Sequence, residues 1–166
     1  MVEKPREIAE RTFQFAVTIV LLCKKLKEAG VFQETIRQLL KSGTAIGANV
    51  AEGQSPQSRA DFISKYSIAC KESKESLFWL QLIKTTEPQL ENLKIGKSEN
   101  LKIGKTENLK IGKSENLKIE KSENLKIEKF EDWKTEDVRL DDIIAENDEI
   151  VRVLVSIIAN AKRNSK

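Results

Sequence analysis

The chain has 166 residues, which is long enough for one domain with a hydrophobic core, and 39% of them are apolar, an ordinary share for a soluble protein. Aromatic residues make up 5% and charged residues 33%, which favours helices over sheets, so we expect an all-α protein. The net charge of +3 does not indicate a nucleic-acid-binding body: Glu91 to Phe130 hold ten Lys and seven Glu, and removing these from the totals of 29 basic and 26 acidic residues leaves 19 of each.

The first predicted helix begins near Pro5, a residue tolerated in the first turn, and ends near Ala29, with Gly30 as its stop. Apolar residues at three- and four-residue steps predict one buried face, which Phe15, Ile19 and Leu22 widen. That face consists of Ile8, Ala9, Phe13, Ala16, Val17, Val20 and Cys23.

The second predicted helix runs from Gln33 to Glu52 and closes on Gly53, where glycine can adopt the left-handed conformation that caps a helix. Gly43, Gly47 and Ala51 follow at four-residue spacing, so they lie along one side. Glycine inside a helix costs about 1 kcal/mol relative to alanine. We interpret the small residues as a close helix-packing contact; the alternative is a surface where the backbone meets a ligand or partner.

Two polar residues accompany this small-residue segment. We expect Asn49 to fill a hydrogen-bonding role in packing and Glu52 to be a solvated or interfacial carboxylate. The alternative is that both fix the register of subunits in an oligomer, as buried polar groups sometimes do.

Ser55 or Ser58 is the predicted start of the third helix, which ends before Pro88. The fourth is predicted from Thr135 to Ala161, with an acidic start and a basic end that suit the helix dipole. The predicted buried stripes are Phe62, Tyr66, Ala69, Ser73, Ser76, Leu80 and Ile83 in the third helix, and Ile143, Asn147, Ile150, Leu154, Ile157 and Ala161 in the fourth. Four amphipathic helices with short links between the first three predict an antiparallel up-and-down four-helix bundle.

An eight-residue unit, repeated in tandem, occupies Glu91 to Phe130 between the third and fourth helices. Each unit offers two aliphatic residues against six polar or small ones, too few to offset the entropy of ordering the chain. We therefore expect a mobile insertion in a single-domain bundle. An ordered spacer, built as short strands or as a backward extension of the last helix, and a binding element are the alternatives.

Two segments carry a resemblance to a known family: GTAIGANVAEGQ (Gly43 to Gln54) and DFISKYSIACKESKESLFWL (Asp61 to Leu80). The chain resembles the bacterial four-helix bundle proteins encoded by intervening sequences of 23S ribosomal RNA genes. The resemblance implies an up-and-down bundle, a ring-shaped homo-oligomer, expected to be a pentamer, and no established activity. A related retroelement accessory protein of similar fold contacts nucleic acid, which is a fold-level analogy.

Residue types argue against an enzyme. The chain has no His, the commonest general base and metal ligand. Glu52, Glu72 and Glu75 lack the His partners of a di-metal bundle site, and no glycine-rich phosphate loop follows a strand. We expect no catalytic residues, no metal or other cofactor, and no small-molecule substrate.

The location follows from similarly simple features. The apolar run from Phe15 to Cys23 is about half the length of a membrane span, and the charged start, MVEKPREIAERT, is unlike a signal peptide. A cytoplasmic protein without a membrane segment is therefore expected. Cys23 and Cys70 lie among apolar neighbours in helical patterns, which favours free thiols over the alternative of a disulfide.

Clustered basic residues are the candidates for RNA or DNA contacts. They are Lys24, Lys25 and Lys27 on the first helix, Lys71 and Lys74 on the third, and Lys162, Arg163 and Lys166 at the end of the chain. Each cluster is also explained as a solvated face or a complement to a helix dipole, and no aromatic residue is interleaved as a stacking platform would require. We predict a non-enzymatic, self-associating bundle that acts as a nucleic-acid-associated accessory; the alternative is a purely structural or selfish-element protein with no such ligand.

Overall fold

The structure is a computed structural model that describes residues 5–90, 93–95 and 138–163. Four helices pack against one another in an antiparallel up-and-down bundle, as predicted. Two strands of two residues each accompany the helices. The elements in chain order are α1 (Pro5–Glu28), α2 (Gln33–Glu52), α3 (Arg59–Thr86), a 3₁₀ turn (Pro88–Leu90), β1 (Lys94–Ile95), β2 (Val138–Arg139) and α4 (Leu140–Arg163).

Local sequence signals set most of the helix ends. Gly30 follows α1 with a φ of 78°, a left-handed conformation that favours glycine. Ser58 caps α3 by accepting a hydrogen bond from the backbone N–H of Asp61 at 3.1 Å. Gly53 closes α2 where predicted, but its φ of −67° is right-handed, so the expected left-handed cap was wrong. Gly53 is instead needed for packing, as described below.

The start of α4 was predicted wrongly. Thr135 lies outside the described residues, and Val138 and Arg139 are extended rather than helical because they pair with β1 in a two-stranded antiparallel ladder. Arg139 lies opposite Lys94, and Val138 lies opposite Ile95. The helix therefore begins at Leu140 and does not continue backward through the ladder.

The first unit of the repeat contributes to the fold. Leu93 and Ile95 belong to this unit, and both pack against the hydrophobic core, with Ile95 buried. Apart from residues 93–95, the repeat lies outside the described residues, so its expected mobility stays a prediction.

Burial confirms the predicted stripes of α3 and α4, with only Phe62 and Ala161 partly exposed at their ends. The predicted face of α1 was wrong in part: Ile8 and Cys23 are buried as predicted, as are the residues expected to widen it, but Phe13 is 54% exposed and Thr12 is fully buried. The buried side chains of α1 are Ile8, Thr12, Phe15, Ile19, Leu22, Cys23 and Leu26. Cys23 and Cys70 are free and buried. Among the described residues, no helix is both long and apolar enough to cross a membrane.

Candidate functional site

The small-residue segment of α2 lies directly against α1. A Cβ placed on Gly47 would be 3.1 Å from the backbone oxygen of Thr12, and one on Gly43 would be 2.8 Å from Cγ2 of Ile19. Both glycines therefore let α1 and α2 approach more closely than alanine would. This contact accounts for the two glycines by helix packing within one chain.

Gly53 faces a different neighbour, the ring of Tyr66 on α3. A Cβ there would lie 2.7 Å from Cε2 of the buried ring. The Tyr66 hydroxyl accepts a hydrogen bond from Nε2 of Gln54 at 2.6 Å, and Phe62 stacks on the ring at a centroid distance of 4.3 Å. Burial raises the pKa of Tyr66. The segment thus anchors the start of α3.

Three other predicted site residues in or next to this segment, Asn49, Ala51 and Glu52, are partly or fully exposed. Asn49 donates from Nδ2 to the carbonyl of Ala45, one turn earlier, at 2.8 Å. Ala51 is exposed. Glu52 forms an ion pair with Lys65 of α3, and this hydrogen bond raises the pKa of Lys65. Since these bonds lie within one chain, a role for Asn49 and Glu52 in subunit register stays a prediction.

Two buried polar pairs link the helices, and sequence reasoning did not single them out. Ser73 on α3 donates from Oγ to Oδ1 of Asn147 on α4 at 2.6 Å, and Asn147 returns a bond from Nδ2 to the Ser73 carbonyl at 2.9 Å. Ser76 donates to Oγ of Ser42 on α2 at 2.9 Å. The available signal was the placement of Ser and Asn within otherwise apolar stripes.

The basic clusters are not brought together. The lysines of α1 lie near its C-terminal end, and the antiparallel packing puts them at the opposite end of the bundle from Lys162 and Arg163. Arg59 at the start of α3 binds the carbonyl of Ala161, which fixes that opposite end. Lys71 and Lys74 are exposed midway along α3. Lys166 lies outside the described residues.

The outward face of α3 combines charged and apolar side chains. Phe78 is 57% exposed and Ile68 is 39% exposed, and both lie away from the buried stripe of the same helix. Phe78 follows Lys74 by one helical turn and is exposed, although no aromatic residue lies between Lys71 and Lys74. Its ring makes an edge contact with Trp79 at 5.0 Å.

An open groove lies beside the turn between α1 and α2, with a volume of about 400 Å³. Val31, Ile36 and Leu40 supply an apolar lining, and Lys27 adds a positive charge at the edge. Arg37, also in the lining, donates from Nε and Nη2 to the two carboxylate oxygens of Glu34, at 2.8 and 2.5 Å, and this ion pair offsets its charge. No cluster of three or more potential metal-ligating side chains occurs within the described parts of the chain.

Comparison with known proteins places these features in a family. The family model of the 23S rRNA-intervening sequence protein matches residues 4–103, which include α1, α2 and α3. A crystal structure of a protein of unknown function from the S23 ribosomal protein family of Bacteroides thetaiotaomicron is 30% identical, with a TM-score of 0.61, and the match covers 95% of this chain and 99% of that one. No curated protein matches significantly. The chain therefore belongs to the 23S rRNA-intervening sequence protein family.

Proposed function

We propose that this protein works by binding rather than by catalysis, as a helical bundle that associates with further copies of itself. The family and the solved neighbour fit a non-enzymatic helical protein. The observation that carries the proposal is the outward face of α3, where Phe78 and Ile68 are exposed on the same side of one helix. Single exposed apolar residues are common, but apolar side chains grouped on one face mark an interaction site.

Further exposed apolar residues on other helices support an assembly of several copies. Phe13 on α1 is 54% exposed and Val155 on α4 is 48% exposed. A closed ring uses two different surfaces of each subunit, so exposed apolar residues on several helices suit it better than one isolated patch would. The pentamer implied by the family resemblance is the specific form of this proposal.

Size-exclusion chromatography with multi-angle light scattering tests self-association directly. The monomer has a mass of 18.8 kDa. We expect a mass several times larger that falls as the protein is diluted. A mass of one chain at every concentration would reject the proposal and leave a monomeric structural or selfish-element protein.

Nucleic-acid binding is the second candidate, favoured by Lys71 and Lys74 lying on the same exposed face of α3 as Phe78. Lysine ammonium groups bind phosphates and an exposed aromatic ring can stack on a base. The candidate acts through multivalency, because an oligomer repeats one modest patch and its weak contacts add.

Fluorescence anisotropy with a labelled structured RNA across a salt series tests this candidate. Binding should weaken steeply with salt, and Lys71→Gln with Lys74→Gln should lower the slope by roughly two, since each phosphate contact releases about one counterion. A variant lacking residues 97–128, which keeps Leu93 and Ile95, tests whether the repeat binds. Absence of binding at low salt would reject the nucleic-acid candidate.

A further inference from the structure

Five residues on the outward face of α3 follow the spacing of a helix-pairing seam. Ile68, Lys71, Glu75, Phe78 and Leu82 recur at alternating three- and four-residue steps, the a and d positions of a heptad pattern. The seam lies on the side of α3 away from its buried stripe. Ile68, Lys71 and Phe78 are exposed, and Glu75 and Leu82 are partly exposed.

The seam is complementary to itself when it is read in the opposite direction. Ile68 and Phe78 lie five residues before and after Ser73, while Lys71 and Glu75 lie two residues before and after it. In an antiparallel helix pair, a positions share layers with d positions of the other helix. When two antiparallel copies of α3 are aligned at Ser73, Ile68 of each copy lies opposite Phe78 of the other. In the same way, Lys71 of each copy lies opposite Glu75 of the other.

We propose that α3 pairs antiparallel with α3 of a second copy of this chain, across a twofold axis at the level of Ser73, through these apolar and ionic layers. The inference rests on the proposed self-association and adds its surface and symmetry. An isologous interface requires one patch that is complementary to itself, and this seam meets that condition at four positions. Combined with the proposed ring, this pairing joins two rings, so an assembly built with it contains an even number of chains.

Charge selects a second copy over a nucleic acid on this surface. Glu75 lies at the centre of the seam, and its carboxylate, which accepts a long 3.4 Å bond from the Trp79 indole, would repel a phosphate. Facing Lys71 of a second copy, the same carboxylate is attractive. Lys74 flanks the seam, where it lies near Lys74 of the second copy. The repulsion between these two ammonium groups limits the strength of pairing.

The test exchanges the two central charges. Lys71→Glu makes the centre of the seam entirely acidic, and Glu75→Lys makes it entirely basic, so each variant alone should lose pairing and show half the wild-type mass by light scattering. An equimolar mixture of the two should recover the wild-type mass, because the acidic seam then faces the basic one. The double variant Lys71→Glu/Glu75→Lys should also recover it. Circular dichroism checks that each variant is folded.

The possible results separate the inference from the proposed function. A wild-type protein that is monomeric overturns both. An oligomer whose mass is the same in Lys71→Glu, Glu75→Lys and the apolar-layer variant Phe78→Glu overturns the twofold pairing and leaves self-association in place. Loss of RNA binding in Lys71→Glu at unchanged mass assigns the face to nucleic acid and overturns the pairing as well.

Discussion

The buried pair formed by Ser73 and Asn147 couples α3 to α4, and its two hydrogen bonds are expected to act as a unit. Both side chains are fully buried. Ser73→Ala leaves the amide oxygen of Asn147 without its donor in the core, and an unsatisfied buried acceptor costs about 1–3 kcal/mol. Asn147→Leu removes both bonds and should cost a similar amount, although the Ser73 hydroxyl can then turn to the carbonyl of Ala69.

The double variant Ser73→Ala/Asn147→Leu is the informative one. It leaves no unpaired polar side chain at this site, and replacing both partners by apolar groups can be nearly neutral. We therefore expect it to be destabilised by about 1–2 kcal/mol less than the sum of the single variants. Urea unfolding followed by far-ultraviolet circular dichroism, at one fixed protein concentration, measures the three differences in unfolding free energy.

Ser76→Ala provides a matched control for this experiment. Ser76 is equally buried, but its partner Ser42 also donates to the carbonyl of Gln38 at 3.0 Å, so Ser42 keeps a hydrogen bond when Ser76 is truncated. The expected cost is below about 1 kcal/mol. Additive effects at Ser73 and Asn147, or an equal loss at Ser76, would refute the idea that unsatisfied burial dominates.

Three further predictions concern packing, ionisation and an ion pair. Gly53→Ala should lower the urea midpoint by the equivalent of about 1–3 kcal/mol, because the new methyl group overlaps the Tyr66 ring. In a Tyr66→Leu background, the same substitution should cost less. An equal loss of stability in that background would contradict the overlap. Burial raises the pKa of Cys23 from 9.0 to about 12, so the thiol ionises at lower pH in the unfolded chain than in the folded one. The unfolding free energy should therefore fall as pH rises between these two values, by up to about 1.4 kcal/mol per pH unit. Denaturant titrations should show a shallower fall in Cys23→Ala, and identical pH profiles would argue against the buried thiol. Arg11 donates two hydrogen bonds to Glu146, at 2.7 and 2.9 Å, and Arg11→Lys leaves a single contact. This substitution should lower the unfolding free energy by no more than about 1 kcal/mol, and by less at high salt. A loss of stability that does not depend on salt would point to packing instead.

The fold was predictable where each local signal agreed with the packing. Helix α2 has the predicted bounds, Ser58, one of the two predicted starts, caps α3, and the spacing of Gly43 and Gly47 predicted a close helix contact. The β ladder was not predictable, because two-residue strands have no periodicity to detect and their partners are more than forty residues apart in sequence.

Thr12 shows why the face of α1 was misplaced. Periodicity treats threonine as polar and Phe13 as buried, yet the Thr12 hydroxyl donates within its own helix, at 2.8 Å from the carbonyl of Ile8 and 3.1 Å from that of Ala9. A hydroxyl satisfied in this way can be buried at little cost. The role of the three basic clusters in nucleic-acid binding stays a prediction. Antiparallel packing places the lysines of α1 at the opposite end of the bundle from Lys162 and Arg163, so these two clusters do not form one patch.

The exposure of Phe13, which periodicity placed in the core, also bears on function. A soluble bundle helix normally carries one apolar face, whereas a helix with apolar residues around its circumference is typical of one that is covered on every side. On α1 and α3 the core covers one face, while Phe13, Ile68 and Phe78 remain exposed on others. These helices hold more apolar surface than a single bundle buries. A second copy of the chain can cover that excess without any further component, and the self-complementary seam of α3 indicates how it would dock.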